Sequence, residues 1–324
     1  MKIRKSMALR VVLILPVLFA AFSACESIPV DEAAILQPKR SVTPQTFDRL
    51  GLNGYTLEER FFEAPDGTVL NGWYVSKSGD AQEADGGTDG EAGGENDGGT
   101  DGGTDGEADG EADGEAGRVT VVFFGGNGFY LVQSAPYLEL FAELEVDVFM
   151  WDYRGYGLSE GEPSLASMKA DSLAAVDFAV DSLGVDGPVI AHGHSIGTFI
   201  ASYAAVERAA DAMVLESPAT NADHWLRSAL PGVVRLLADI EVSEALAQED
   251  NIPRVRSFSG PSYFAVGEDD FTTPPAMAER LYETSEADWK RLYEQSGGGH
   301  NSLPPDPGFR SGYRELIDEV MVNR

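Results

Sequence analysis

The sequence predicts an α/β fold: a mostly parallel central sheet flanked by helices, with a small cap and a long acidic insertion. Three observations carry this. Short, nearly continuous apolar runs recur between residues 118 and 267, the pattern of parallel strands covered on both faces. Segments of helical periodicity separate these runs, which is the alternation of an α/β domain. Residues 51–324, less the 39 of an acidic tract at 79–117, number about 235, the size of one large domain.

The first 24 residues are expected to lie outside that domain. Lys2, Arg4, Lys5 and Arg10 precede the apolar run "VVLILPVLFAA" at 11–21, which Pro16 interrupts. Such a run is shorter than the roughly 20 residues a membrane-spanning helix needs, and it reads as an export signal. It ends in "FSAC", where small residues precede Cys25, the one cysteine of the chain. This resembles the lipobox of bacterial lipoproteins, with Phe22 in the place usually held by leucine. The resemblance implies signal removal, lipidation of Cys25 and attachment to a membrane, at the periplasmic face or the cell surface. An ordinary secretory signal cut after Ala24 is the other reading. With Cys25 lipidated, no cysteine remains for a disulfide or a thiolate site. Residues 25–50 contain three prolines and little periodicity, and are expected to act mainly as a tether.

The net charge is −31, and the tract 79–117 supplies −14 of it without a single Lys or Arg, leaving −17 for the rest. An acidic balance of this size argues against nucleic acid as a partner. The tract repeats D-G-G-T or D-G-E-A, has almost nothing to bury, and is expected to be a disordered, solvated insertion. Asp-Gly repeats present oxygen atoms, so weak calcium binding is a second reading, although β-roll and EF-hand spacings are missing.

Ahead of the tract, 54–76 alternates apolar and polar residues across Pro-Asp-Gly, a β-hairpin pattern. After it, strands are expected at 118–124, 146–152, 188–192, 212–217 and 262–267, with a final strand at 291–295. Helices are expected at 164–184, 196–210 and 274–285. The first has Ser164 as N-cap, Gly184 just past its end, and Leu173, Val176, Val180 and Leu183 on its apolar face.

The chemistry gathers at the strand ends, where ligands of such sheets bind. Gly193-His194-Ser195-Ile196-Gly197 matches G-x-S-x-G. It lies between an apolar strand and a small-residue helix, the context that a nucleophile elbow requires. A serine needs a base to take its proton and an acid to orient that base. Of the four histidines, His192 and His194 are expected to point away from the nucleophile, and His224 falls in the segment between strands. His300, in the glycine-rich "SGGGHNS" after the last strand, is the candidate base. Asp270, after the run 262–267, is the candidate acid, with Asp269 in reserve and Glu216 as an alternative on another strand. Candidate oxyanion donors are the backbone N–H groups of Ile196 and of Asn127, with Gly126 as the neighbour of the latter.

Taken in order, "VVFFGGNG", "DYRGYGLSEGEPS", "GHSIG", "LESPAT", "VGEDDFTTPPAMAERLYE" and "GGGHNS" resemble the α/β-hydrolases related to serine aminopeptidases and to hydrolase-domain thioesterases and lysophospholipases. The likeness covers nearly all of 54–324 outside the tract. It implies an α/β-hydrolase fold, a Ser195–His300–Asp270 triad, and oxyanion donors at Asn127 and Ile196. By the same likeness Asp152 and Arg154 are structural, and no cofactor or metal is required. The chief departure is Gly125, where the group usually has histidine.

These residues imply hydrolysis of a carboxylic ester or thioester on a small-molecule acyl substrate. An aminopeptidase or amidase is the competing activity, and a catalytically silent surface lipoprotein a third reading. Between 217 and 262 there is space for a cap of about 45 residues, in which 230–240 is amphipathic and either lines an acyl pocket or seats a helix on the sheet. The sequence leaves the oligomeric state open.

Overall fold

A computed structural model describes residues 28–38, 52, 54–78, 117–129, 131, 134–229 and 240–322. The signal segment 1–24, Cys25, the acidic tract up to residue 116 and the cap stretch 230–239 lie outside the described residues.

The strands are β1 (Ile28–Val30), β2 (Tyr55–Glu63), β3 (Val69–Lys77), β4 (Thr120–Phe124), β5 (Asp147–Trp151), β6 (Val189–His194), β7 (Ala212–Glu216), β8 (Ile240–Val242), β9 (Ser262–Gly267) and β10 (Lys290–Gln295). The helices are α1 (Glu32–Ile35), α2 (Ala135–Glu143), α3 (Leu165–Ser182), α4 (Gly197–Glu207), α5 (Ala222–Ala229), α6 (Glu244–Ala247), α7 (Asn251–Ser257), α8 (Pro275–Thr284) and α9 (Pro307–Val322). Eight strands form the main sheet in the order β10-β9-β7-β6-β4-β5-β3-β2. The hairpin β2–β3 joins antiparallel to β5, and every other pairing is parallel.

The strands are apolar throughout because both faces are covered. Along β4, Val121 and Phe123 face α2 and α9, packing with Leu140, Phe141, Phe309 and Tyr313. Val122 and Phe124 face the opposite layer, with Met168 of α3 and Phe199 and Ile200 of α4. Burying each such side chain contributes roughly 1.5–3 kcal/mol, so this double layer is the main source of stability.

The expected strands are present, and β6 runs two residues further than expected, because His194 still pairs with Glu216 of β7. Ser164 caps α3 through a reciprocal hydrogen-bond pair with Ser167, and Gly184 follows the helix at φ +69°. The face of α3 agrees with expectation at three of its four positions: Val176 is buried, and Leu173 and Leu183 pack against the core. Its buried side includes Met168, Ser172, Ala175, Val176 and Ala179, while Val180 is 42% exposed. Small side chains let α3 lie close to the adjoining layer, which puts the bulkier Val180 on the solvent flank.

Residues 28–38 correct the tether reading for that part of 25–50. β1 pairs in parallel with β8 of the cap, and Ile35 and Leu36 enter the core. Asp31 caps α1 by accepting from the Ala34 N–H, and the Glu32 carboxylate accepts from the Leu165 N–H at the start of α3. At the far side of the sheet, both described ends of the acidic insertion meet Asp147. The Lys77 N–H donates to its carboxylate at 3.0 Å, and Arg118 pairs with the same oxygen at 3.5 Å.

Candidate active site

Ser195 follows β6 and is separated from α4 by Ile196, its N-cap residue; the φ of Ser195 is +55°. This left-handed conformation costs a non-glycine residue on the order of 1–3 kcal/mol, and it persists only where the surroundings enforce it. Here they do. The Ser195 N–H donates to the Glu216 carbonyl at 2.9 Å, and the Thr198 N–H donates to the Ser195 carbonyl at 3.0 Å. The two elbow glycines are fixed by close approach: a Cβ on Gly197 would lie 2.1 Å from the Phe124 carbonyl oxygen, and one on Gly193 2.5 Å from the Gly197 carbonyl oxygen. Strand, turn and helix are therefore packed too tightly here for any side chain.

His300 arrives from the loop after β10, and Asp270 from the turn after β9. Their loops interlock, with the Asp269 N–H donating to the Gly298 carbonyl at 2.7 Å. His300 Nε2 is 2.9 Å from Ser195 Oγ, and His300 Nδ1 is 2.7 Å from Asp270 Oδ2. An ionised carboxylate only accepts, so Nδ1 carries the proton and Nε2 is left to accept from the serine hydroxyl. Asp270 is buried. The Thr272 and Thr273 N–H groups donate to Oδ1 at 2.8 and 3.0 Å, and Thr273 Oγ1 donates to Oδ2 at 2.9 Å. Burial pushes this carboxyl up, and the hydrogen bonds from His300 and Thr273 more than offset it, holding Asp270 below the ordinary carboxylate range.

Among the candidate acids, Asp270 alone contacts the imidazole of His300. Asp269 adds only its backbone N–H to the loop contact. Glu216 faces the other way: its carboxylate lies 3.1 Å from His192 Nε2 and accepts from the Tyr137 hydroxyl at 3.2 Å, and both Glu216 and His192 are fully buried. His192 thus points away from Ser195, as expected. His194 does not leave the site altogether. Its Nε2 is 3.1 Å from the His300 carbonyl oxygen, which also accepts from Ser217 Oγ at 3.2 Å. Burial lowers the His194 pKa, so the ring is a neutral donor in this contact. His224 bonds with Thr220 at the foot of the cap, away from these groups.

The turn after β4 runs alongside Ser195, since a Cβ on Gly126 would lie 3.3 Å from Ser195 Cβ. Among the described residues, the backbone N–H groups of Ile196 and Asn127 have no hydrogen-bond partner. Gly125 has a physical cause. A Cβ there would lie 2.1 Å from the ring of Phe129, which occupies the space a histidine would need and packs edge-on against Phe123. The Asn127 side chain is bound to the segment 35–37. Arg154 is structural, forking onto Asp171 and Asp66, and Asp152 is buried and accepts from the Leu131 N–H at 2.8 Å. Sequence reasoning missed three contributors: Thr273, His194 and residues 35–37. The first had a visible signal, a hydroxyl residue three positions after the candidate acid.

Comparison with known proteins agrees with this architecture. The family model described as serine aminopeptidase, S33, matches residues 115–254. An esterase of Pyrococcus furiosus superposes with a TM-score of 0.62 at 15% identity, over 88% of this chain and all of that one. The chain has the α/β-hydrolase fold. An uncharacterized protein of Mycobacterium tuberculosis is 34% identical to this hydrolase-fold chain over 185 residues, 55% of the chain and 59% of the relative. The alpha/beta hydrolase domain-containing protein aho-3 of Caenorhabditis elegans is 30% identical over 201 residues, 61% of the chain and 57% of the relative. The chain thus spans somewhat over half the length of each of these two curated relatives.

Proposed function

We propose that the protein is a serine hydrolase that cleaves a carboxylic ester or thioester through an acyl-enzyme. The observation that carries this reading is the pair of contacts at His300, 2.9 Å to the Ser195 hydroxyl and 2.7 Å to the Asp270 carboxylate. In this reading Ser195 Oγ attacks the substrate carbonyl while His300 Nε2 takes the hydroxyl proton. Asp270 holds the ring and balances the charge that forms on it. The tetrahedral oxyanion is met by the N–H groups of Ile196 and Asn127. His300 returns the proton to the leaving alcohol or thiol; water, activated by the same nitrogen, then attacks the acyl-enzyme and releases the acid.

Fluorophosphonate labelling tests the assignment: one equivalent is expected on the native chain and none on Ser195→Ala. The esterase neighbours favour an ester substrate, whereas the family description favours an aminopeptidase as the second reading. A panel of nitrophenyl esters and aminoacyl anilides separates them, and anilide turnover with silent esters would remove the first reading.

We further propose that Cys25 is lipidated after export and holds the enzyme on a membrane. The basis is the leader with its terminal "FSAC". Metabolic labelling with palmitate and release of Cys25→Ala from the membrane fraction test this.

A further inference from the structure

The turn that carries the Asn127 N–H is built from Gly125, Gly126, Asn127 and Gly128. Three glycines in four residues leave a backbone with little stiffness of its own, yet an oxyanion donor stabilises charge only if it is held in place beforehand. The one side chain in this run is that of Asn127, and it is tied at both ends. Its Nδ2 donates to the Ile35 carbonyl at 2.5 Å, and its Oδ1 accepts from the Gln37 N–H at 3.2 Å and from the Tyr156 hydroxyl at 3.4 Å. The Gln37 N–H also donates to the Tyr156 hydroxyl oxygen at 3.0 Å. An amide side chain bonded to alternate backbone groups of an extended segment imitates one rung of a sheet.

The segment it grips is itself anchored at three places. β1 pairs with β8, Ile35 and Leu36 are buried in the core, and Glu32 caps α3. None of these anchors belongs to the turn after β4. The glycine turn therefore receives its rigidity from a piece of chain about 90 residues earlier in the sequence.

We infer that residues 35–37 are positioning residues for the oxyanion turn: the N-terminal segment completes the active site by clasping the Asn127 side chain. This rests on the reading of the Asn127 N–H as an oxyanion donor. It makes a segment outside the eight-stranded sheet necessary for full turnover, although it touches none of the reacting atoms.

The test uses the full chain and three substitutions, each with circular dichroism to verify folding. Gln37→Pro removes one N–H and leaves Ile35 and Leu36 in the core. Leu36, at φ −69° and ψ 126°, already has the extended conformation that a following proline demands. Asn127→Ala removes the clasp but keeps the N–H, and Asn127→Pro removes the N–H as well. The readouts are kcat and KM on a nitrophenyl ester, and the Ki of an alkyl trifluoromethyl ketone, whose adduct with serine bears an oxyanion. The expected losses in kcat are about threefold for Gln37→Pro, about tenfold for Asn127→Ala and about 10²-fold or more for Asn127→Pro. KM should stay within about twofold, Ki should weaken in step with kcat, and Gln37→Pro combined with Asn127→Ala should be no worse than Asn127→Ala alone. Wild-type kcat and Ki in both Gln37→Pro and Asn127→Ala, with a large loss in Asn127→Pro, overturns the clasp and leaves the oxyanion reading standing. Equal kinetics for Asn127→Ala and Asn127→Pro overturns the oxyanion reading, and the clasp with it.

Discussion

Two carboxylate–imidazole–hydroxyl clusters flank the strand that leads to Ser195. In one, Asp270, His300 and Ser195 meet at the strand ends, and the His300 side chain is 18% exposed. In the other, Glu216, His192 and Tyr137 are sealed beneath the sheet, with aromatic rings of Phe123, Phe141 and Tyr313 around the imidazole. Residue chemistry is nearly the same in both. What differs is access and the partner on the far ring nitrogen. His300 Nε2 faces a serine hydroxyl that can leave its partner for a substrate, while among the described residues His192 Nδ1 has no hydrogen-bond partner. Burial and the neighbouring Glu216 push the Tyr137 hydroxyl well above its ordinary pKa, so it stays protonated and is no nucleophile. A carboxylate beside an imidazole is therefore a structural tie or a proton relay according to whether a reacting atom can reach it.

Paired substitutions break that comparison open. Ser195→Ala should cost the most, on the order of 10⁶-fold in kcat with little change in thermal stability, read by ester turnover and calorimetry. Asp270→Asn and Glu216→Gln then make the same chemical change in the two clusters. The first should lower kcat by about 10⁴-fold through the wrong tautomer of His300. The second should leave kcat within about tenfold but lower unfolding stability by roughly 1–3 kcal/mol in urea titration, because a buried tie is weakened. Equal kinetic losses in the two variants would mean that the sealed cluster takes part in turnover.

Thr273→Val should have a smaller effect, about fivefold on kcat, from the loss of one hydrogen bond to the Asp270 carboxylate. It also carries a pH signature. Asp270 is held below its unfolded pKa, so its contribution to stability is present above that value and fades as pH falls through the folded pKa. Losing the Thr273 donor raises the folded pKa, and acid unfolding should begin at higher pH. Asp152 gives the opposite sign. Burial raises its carboxyl to about 7, against which the Leu131 and Leu158 N–H groups act only partly. Its share of stability is full below the unfolded value near 4 and is lost as pH rises toward about 7, by at most about 1.4 kcal/mol per pH unit. Asp152→Asn should flatten that slope in denaturant titrations across the same range.

The strands and the elbow were legible because their signals are local. An apolar run of five residues, or glycines spaced around a serine, holds its meaning within one turn of chain. The helix α9 carried such a signal too, Phe309, Tyr313, Leu316 and Val320 at helical spacing, yet no helix was expected there. The link between Ile35 and Asn127 had none, since it joins backbone to side chain across a long stretch of sequence that includes the acidic tract. On α3 the helical spacing held at Leu173, Val176 and Leu183 and failed at Val180, beside which the small Ala175 and Ala179 face the neighbouring layer.

Asp147, where the described ends of the acidic tract converge, opens β5, whereas Ser195, Asp270 and His300 all follow the closing ends of their strands. The attachment point of 14 negative charges therefore sits at the pole of the sheet opposite the candidate catalytic groups. That separation makes the junction a natural graft point: sequences of other length or charge can be spliced between Ser78 and Gly117, or a dye or affinity handle fixed there, without altering the chain that shapes the reaction centre.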